Sequence, residues 1–80
     1  MKTLLFFTAP WCAVCKTLKP IVDEEAPAQG YEIEYLHLDD DDGMLFAEAY
    51  KVRSLPTLIV LEDGKETKRA VGSTAWKEVQ

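Results

Sequence analysis

From Thr3 the chain runs Thr-Leu-Leu-Phe-Phe-Thr, an apolar stretch of strand length with no alternating polar positions. Such a strand is buried on both faces, so Thr3 to Thr8 predicts the inside of a sheet. The period then changes. From Val14, apolar residues recur at Leu18, Ile21 and Val22, offsets of four, seven and eight, which predicts a helix with that core face. Pro20 lies inside it and lacks the amide that would bond the Lys16 carbonyl, so a kink is expected there rather than a stop. The helix should end near Ala26, ahead of Pro27 and Gly30. Tyr31 to Leu38 begins in strict alternation and then turns apolar on both sides, which predicts a second strand. Strand, helix and strand in this order make a βαβ unit, with parallel strands and a right-handed crossover.

The second half changes character at Asp39-Asp-Asp-Asp-Gly43. That run reads either as a metal or partner site or as a solvated turn that caps the next helix. The cap is favoured, because aspartates accept helix amides and suit the positive N-terminal end. No glutamate stands where a calcium loop would place its bidentate ligand. Met44 to Val52 predicts a short helix with Leu45, Ala49 and Val52 inward. Two strands follow, Thr57 to Leu61 and about Thr67 to Val71, joined through Asp63-Gly64, a strong hairpin signal. Pro56 opens what should be a central strand, where proline is normally excluded; a cis Leu55–Pro56 bond would explain it. Ser73 to Gln80 begins with a capping residue and reads as a short helix docked by Trp76, with Val79. The order is β-α-β-α-β-β-α, an α/β chain whose four-stranded sheet mixes parallel and antiparallel pairs.

Composition narrows the picture. Eighty residues suit one domain near the lower size limit, and 48% hydrophobic with 29% charged residues places the chain with folded proteins. Fourteen acids against nine bases give a net charge of −5, which argues against a nucleic-acid or anionic-membrane partner. No apolar run approaches the roughly 20 residues of a membrane-spanning helix. The first ten residues superficially suggest a signal peptide. Their apolar part is too short, however, and cleavage there would remove the best strand, so they read as part of the fold.

The only cysteines, Cys12 and Cys15, stand three positions apart behind Trp11. Such a pair serves as half a metal site, as a static staple or as a dithiol–disulfide couple. As a staple it closes a tiny loop and removes little chain entropy. Small secreted domains held by disulfides usually carry more cysteines with distant partners, so a reducing cytoplasm fits better. As a zinc site it lacks two ligands, since His37 is the one histidine and there is no second cysteine pair; no metal is expected.

With its surroundings the pair resembles the thioredoxin family. The matching pieces are Phe6-Phe-Thr-Ala-Pro-Trp-Cys-Ala-Val-Cys-Lys16, Leu18-Lys-Pro-Ile-Val-Asp-Glu24, Ser54-Leu-Pro-Thr57, Glu62-Asp-Gly-Lys65 and Val71-Gly-Ser73, in matching order and spacing. The resemblance covers essentially all 80 residues, although the chain looks trimmed beside longer members, whose initial strand and helix it lacks. It implies a single thioredoxin-like domain over residues 1–80, with the minimal four-stranded thioredoxin fold flanked by helices. It also implies a monomeric, cytoplasmic thiol–disulfide oxidoreductase that reduces protein disulfides. No cofactor would be bound beyond the Cys12–Cys15 couple, and a flavin-dependent thioredoxin reductase would recharge it.

The spacing carries its own chemistry. Cys12 precedes the first helical turn, where free amides and the helix dipole stabilise an anion. Its pKa should fall below about 8.5 into the reactive range of about 3.5–7.5, a range that thioredoxin itself helps define. Cys15 lies one turn on, within disulfide reach. Cys12 would attack a substrate disulfide and Cys15 would resolve the mixed disulfide. By resemblance, Trp11 and Pro56 flank the pair, Leu55 offers its backbone to an extended substrate, and Gly72 forms a third rim loop. The plainer readings are packing for Trp11 and a hairpin exit for Gly72; Lys16 could support the thiolate electrostatically, but a solvated helix position is the simpler reading. By the same resemblance Ala13 and Val14, between the cysteines, would also face substrate and help set the potential; they replace the family's usual Gly-Pro.

Two departures stand out. Phe6 occupies the place of the family's buried aspartate, and no Lys or Arg occurs between Lys19 and Lys51, although a lysine is usual near Tyr35. Losing both halves together makes sense, since either alone would be an unpaired buried charge. Proton exchange with Cys15 must then use water or another group. His37 is a candidate, set against a merely packed or solvated strand histidine. Two other functions stay open. A glutathione-dependent, glutaredoxin-like enzyme is disfavoured by Leu-Pro-Thr and by the missing Gly-Gly. A non-catalytic binding module on the same fold is disfavoured by the intact cysteine pair.

Overall fold

Leu4, Leu5, Phe6 and Phe7 are essentially without solvent contact. That follows from their place in the computed structural model, which describes residues 1–80. They lie on β1 (Lys2–Thr8), an inner strand of a four-stranded sheet in the order β2-β1-β3-β4. β2 (Tyr31–His37) runs parallel to β1, whereas β3 (Thr57–Glu62) pairs antiparallel with β1 and β4 (Lys65–Val71) antiparallel with β3. The Leu55–Pro56 peptide is cis. Asp63 and Gly64, with φ of 52° and 81°, form the two-residue turn from β3 to β4. Positive φ at both positions gives the twist that a two-residue hairpin needs.

Alternation along β1 and β3 sorts the core into two layers. Leu4, Phe6, Leu58 and Val60 face α1 (Ala13–Ala28) and α3 (Ala75–Val79). Leu5, Phe7 and Ile59 face α2 (Asp41–Ala49), which contributes Ala47. Helices therefore cover both faces. Trp76 docks α3 as its spacing predicts: the ring meets Tyr31 edge-on at 5.8 Å, and Nε1 donates to Glu25 Oε1 at 2.9 Å.

The helices depart from the sequence pattern in phase and length. α1 buries Cys15, Leu18, Val22 and Ala26, a stripe at i, i+3, i+7 and i+11. Val14 and Ile21, expected inside, are exposed, because Cys15 rather than Val14 anchors the stripe. The helix passes through both Pro20 and Pro27 to Ala28, with the Gln29 amide bonded back to Glu25 and Ala26. α2 starts at Asp41, earlier than its apolar residues indicate, with Asp40 at the cap position and Asp41 and Asp42 in the first turn. The aspartates favour the helix dipole as expected, but no Asp40 side-chain cap bond forms. Starting earlier also turns the helix. Gly43 and Ala47 face the sheet, so Leu45 and Ala49 are exposed, while Val52 packs beyond the helix end. Gly43 sits so close to β2 that a Cβ there would overlap the His37 backbone carbonyl. In α3 the cap position belongs to Thr74, not Ser73.

Candidate active site

The chain between β1 and α1 positions the cysteines. β1 ends at Thr8, Cys12 donates its amide to the Ala9 carbonyl at 3.1 Å, and α1 begins at Ala13. Cys12 is thus the N-cap of α1, in extended conformation, and its Sγ accepts the Cys15 amide at 3.2 Å. A cap position normally filled by an oxygen is filled here by sulfur. Cys12 and Cys15 are joined by a disulfide with their Cα atoms 5.3 Å apart. The two differ in access: Cys12 is 9% exposed and Cys15 1%.

Register brings two more segments to the same end of the sheet. Thr57 at the start of β3 pairs with Phe7 near the end of β1, and Val71 at the end of β4 pairs with Thr57. Leu55–Pro56 and Gly72 therefore emerge beside the β1–α1 turn. The Gly72 amide ties them together by donating to the Pro56 carbonyl at 2.9 Å. Trp11 is 69% exposed and Ala13 and Val14 are also exposed, whereas Leu55 is half-buried and Pro56 buried. Trp11 is therefore not a packing residue of the free protein. At Gly72 a φ of 99° calls for glycine, while a Cβ there would meet no neighbouring atom. Backbone conformation, rather than crowding within the chain, explains that residue.

The space of the absent acid–base pair is filled differently. Phe6 pairs in register with Tyr35, and their rings lie 5.2 Å apart. The Tyr35 hydroxyl bonds the Asp23 carboxylate of α1, which Lys19 also holds at 2.8 Å, with the Lys19 ammonium 4.7 Å over the Tyr35 ring. Lys19 and then Tyr35 hold Asp23 below the usual carboxylate range. Burial, and after it the Asp23 carboxylate, pushes the Tyr35 phenol up. The Lys19/Asp23 spacing of four is legible on a helix, but its link to Tyr35 depends on tertiary packing and has no sequence signature.

Two clefts open beside β2. A cleft of about 230 Å³ is lined by Thr8, Ala9, Pro10, Cys15, Lys16, Lys19 and His37. A larger one, about 390 Å³, holds Asp40, Asp41, Asp42 and His37 and touches neither cysteine. No group of three or more His, Cys, Asp or Glu side chains is placed to hold a metal ion. No helix is long and apolar enough to cross a membrane.

A disulfide at the mouth of a helix, beside a cis-proline loop on a β-α-β-α-β-β-α fold, invites comparison with known proteins. The family model for thioredoxin matches residues 1–80. The chain belongs to the thioredoxin family. It is 44% identical to the thioredoxin of Chlamydia trachomatis over 69 residues, which are 86% of this chain and 67% of that protein. It is 38% identical to the Bacillus subtilis thioredoxin over 66 residues, 82% of this chain and 64% of the relative. Among solved structures it is similar to the thioredoxin of Fasciola hepatica. That match has a TM-score of 0.83 and 28% identity, covering 95% of this chain and 72% of the other. The chain spans just under two thirds of several curated thioredoxins: 65% of those from Synechococcus elongatus and Haemophilus influenzae, and 64% of that from B. subtilis. Within this thioredoxin fold, sequence reasoning missed Asp23 and Glu25, whose partners come from distant elements.

Proposed function

We propose that residues 1–80 act as one domain, a thiol–disulfide oxidoreductase that reduces protein disulfides. The observation that carries this reading is the Cys12 sulfur at the N-cap of α1, accepting the Cys15 amide, with Cys15 buried behind it. The same amide and helix end would stabilise a Cys12 thiolate once the pair is reduced. That thiolate attacks a substrate sulfur, and the other substrate sulfur leaves with its bonding electrons. Cys15 then attacks Cys12 Sγ, forming the Cys12–Cys15 bond and releasing the second substrate thiolate. Trp11, Ala13, Val14, Leu55, Pro56 and Gly72 form the rim. An extended substrate chain lies along the Leu55 backbone there as an added strand.

A monomer in a reducing cytoplasm, recharged by a flavin-dependent thioredoxin reductase, completes the proposal. Insulin reduction tests it against the glutathione-dependent alternative. With NADPH and thioredoxin reductase the chain should precipitate insulin catalytically, and with glutathione and glutathione reductase it should remain near background. Faster turnover with glutathione would favour the alternative, and no turnover with either would favour a binding module.

A further inference from the structure

Resolution of the mixed disulfide requires Cys15 to lose a proton, and the structure narrows where that proton goes. Phe6 offers no acceptor. The Asp23 carboxylate is committed to Lys19 and Tyr35, and the Tyr35 hydroxyl is bonded to Asp23 with its proton held tightly. Glu25 receives the Trp76 indole. An ammonium has donors and no acceptor, so Lys16 and Lys19 cannot serve while charged. Of the remaining side chains in the cleft that contains Cys15, the Thr8 hydroxyl can accept a hydrogen bond but is too weak a base to hold a proton near neutral pH, which leaves His37.

Its placement follows from register. Phe6 and Tyr35 are paired on the α1 side of the sheet, and two residues on, Thr8 and His37 are paired on that same side, one step nearer the cysteines. Gly43 of α2 approaches the His37 backbone closely, and His37 itself is exposed to solvent. The cleft, about 230 Å³, has room for several waters, each needing about 30 Å³. The charged and titratable groups around His37 are Lys16 and Lys19 from α1, Tyr35 from its own strand, and Asp40, Asp41 and Asp42 at the start of α2.

We infer that His37, through water in this cleft, accepts the Cys15 proton during resolution and relays a proton back to Cys15 when the disulfide is reduced again. The inference rests on the roles proposed for Cys12 and Cys15. In the forward step the Cys15 proton passes to the imidazole, the Cys15–Cys12 bond forms, the Cys12–substrate bond breaks, and the leaving thiolate keeps the electron pair. The imidazolium later releases its proton to solvent or to that thiolate.

Stopped-flow reaction of the reduced protein with dithiobis(nitrobenzoate) separates the steps. The first thionitrobenzoate is released as Cys12 is modified, in proportion to reagent; the second is released as Cys15 resolves the adduct, independently of reagent. In His37→Gln the second phase should slow by about 10²-fold near neutral pH, the lower end of general-base effects. The unaltered chain's second-phase rate should rise with pH and then level off in a break. The variant should lose that break, and added imidazole should restore rate. The first phase should be unchanged, which also shows that the variant is folded. An unchanged second phase with the same pH break would overturn the role of His37. Loss of both phases in Cys15→Ser but not in Cys12→Ser would instead overturn the cysteine assignments and this inference with them.

Discussion

Cys15→Ser should accumulate a covalent mixed disulfide between Cys12 and a protein substrate, whereas Cys12→Ser should trap nothing and fall to the uncatalysed rate. The asymmetry comes from access and from the helix end. Cys12 stands at the N-cap, the more exposed of the two sulfurs, with the Cys15 amide directed at it. Cys15 is buried against the α1 side of the core and reaches only Cys12. Removing Cys12 removes the covalent step, so a loss of at least about 10³-fold in reduction rate is expected. Removing Cys15 leaves the attack intact and blocks release. Non-reducing gels of each variant incubated with oxidised insulin, together with mass spectrometry of any adduct, check this. An adduct on Cys15 in the Cys12→Ser variant would reverse the roles.

Phe6→Asp should unfold the protein at neutral pH. Phe6 is fully buried in the main core against Tyr35. Truncating such a residue alone costs about 3–5 kcal/mol, and an unpaired buried carboxylate adds several more. Their sum rivals the roughly 5–15 kcal/mol that holds an ordinary domain together. Phe6→Asn separates the two parts, because it loses the ring without gaining a charge. Burial raises the folded-state pKa of an aspartate at position 6 above its unfolded value of about 3.9. Its charge penalty relative to Phe6→Asn is therefore absent below that pH. Above it, the penalty grows by about 1.4 kcal/mol per pH unit until the folded-state pKa is reached. Tyr35 lies directly across the register, so adding Tyr35→Lys to Phe6→Asp should recover part of the loss by supplying the missing charge. Urea midpoints across pH measure all three variants. Equal stability of Phe6→Asp and Phe6→Asn at neutral pH would mean that position 6 is hydrated rather than sealed.

Strands and turns are the most legible part of the chain. The unbroken run Leu4–Phe7 announces an inner strand because no polar residue fits either face, and Asp63-Gly64 announces its turn because both residues tolerate positive φ. The helices are less legible. On α1, Val14 and Ile21 look as suitable for the core as Leu18 and Val22. What turns the helix is the burial of Cys15, whose chemistry hides its role as a core anchor. On α2, Leu45 reads as inward, yet Gly43 sets the helix against the His37 backbone and turns Leu45 out. At the site, the cysteine pair and Pro56 are readable from local spacing. The Tyr35–Asp23–Lys19 cluster and the Glu25–Trp76 bond join residues brought together only by the finished sheet and helices.

All the proposed chemistry depends on one sulfur losing its proton readily at the start of α1. The pH dependence of iodoacetamide alkylation of the reduced protein, with the modified residue located by peptide mapping, measures this directly. Cys12 should react first, with a midpoint well under the value of about 8.5 for a free thiol, while Cys15 lags. A Cys12 midpoint at that free-thiol value, with both cysteines alkylated at similar rates, would contradict it.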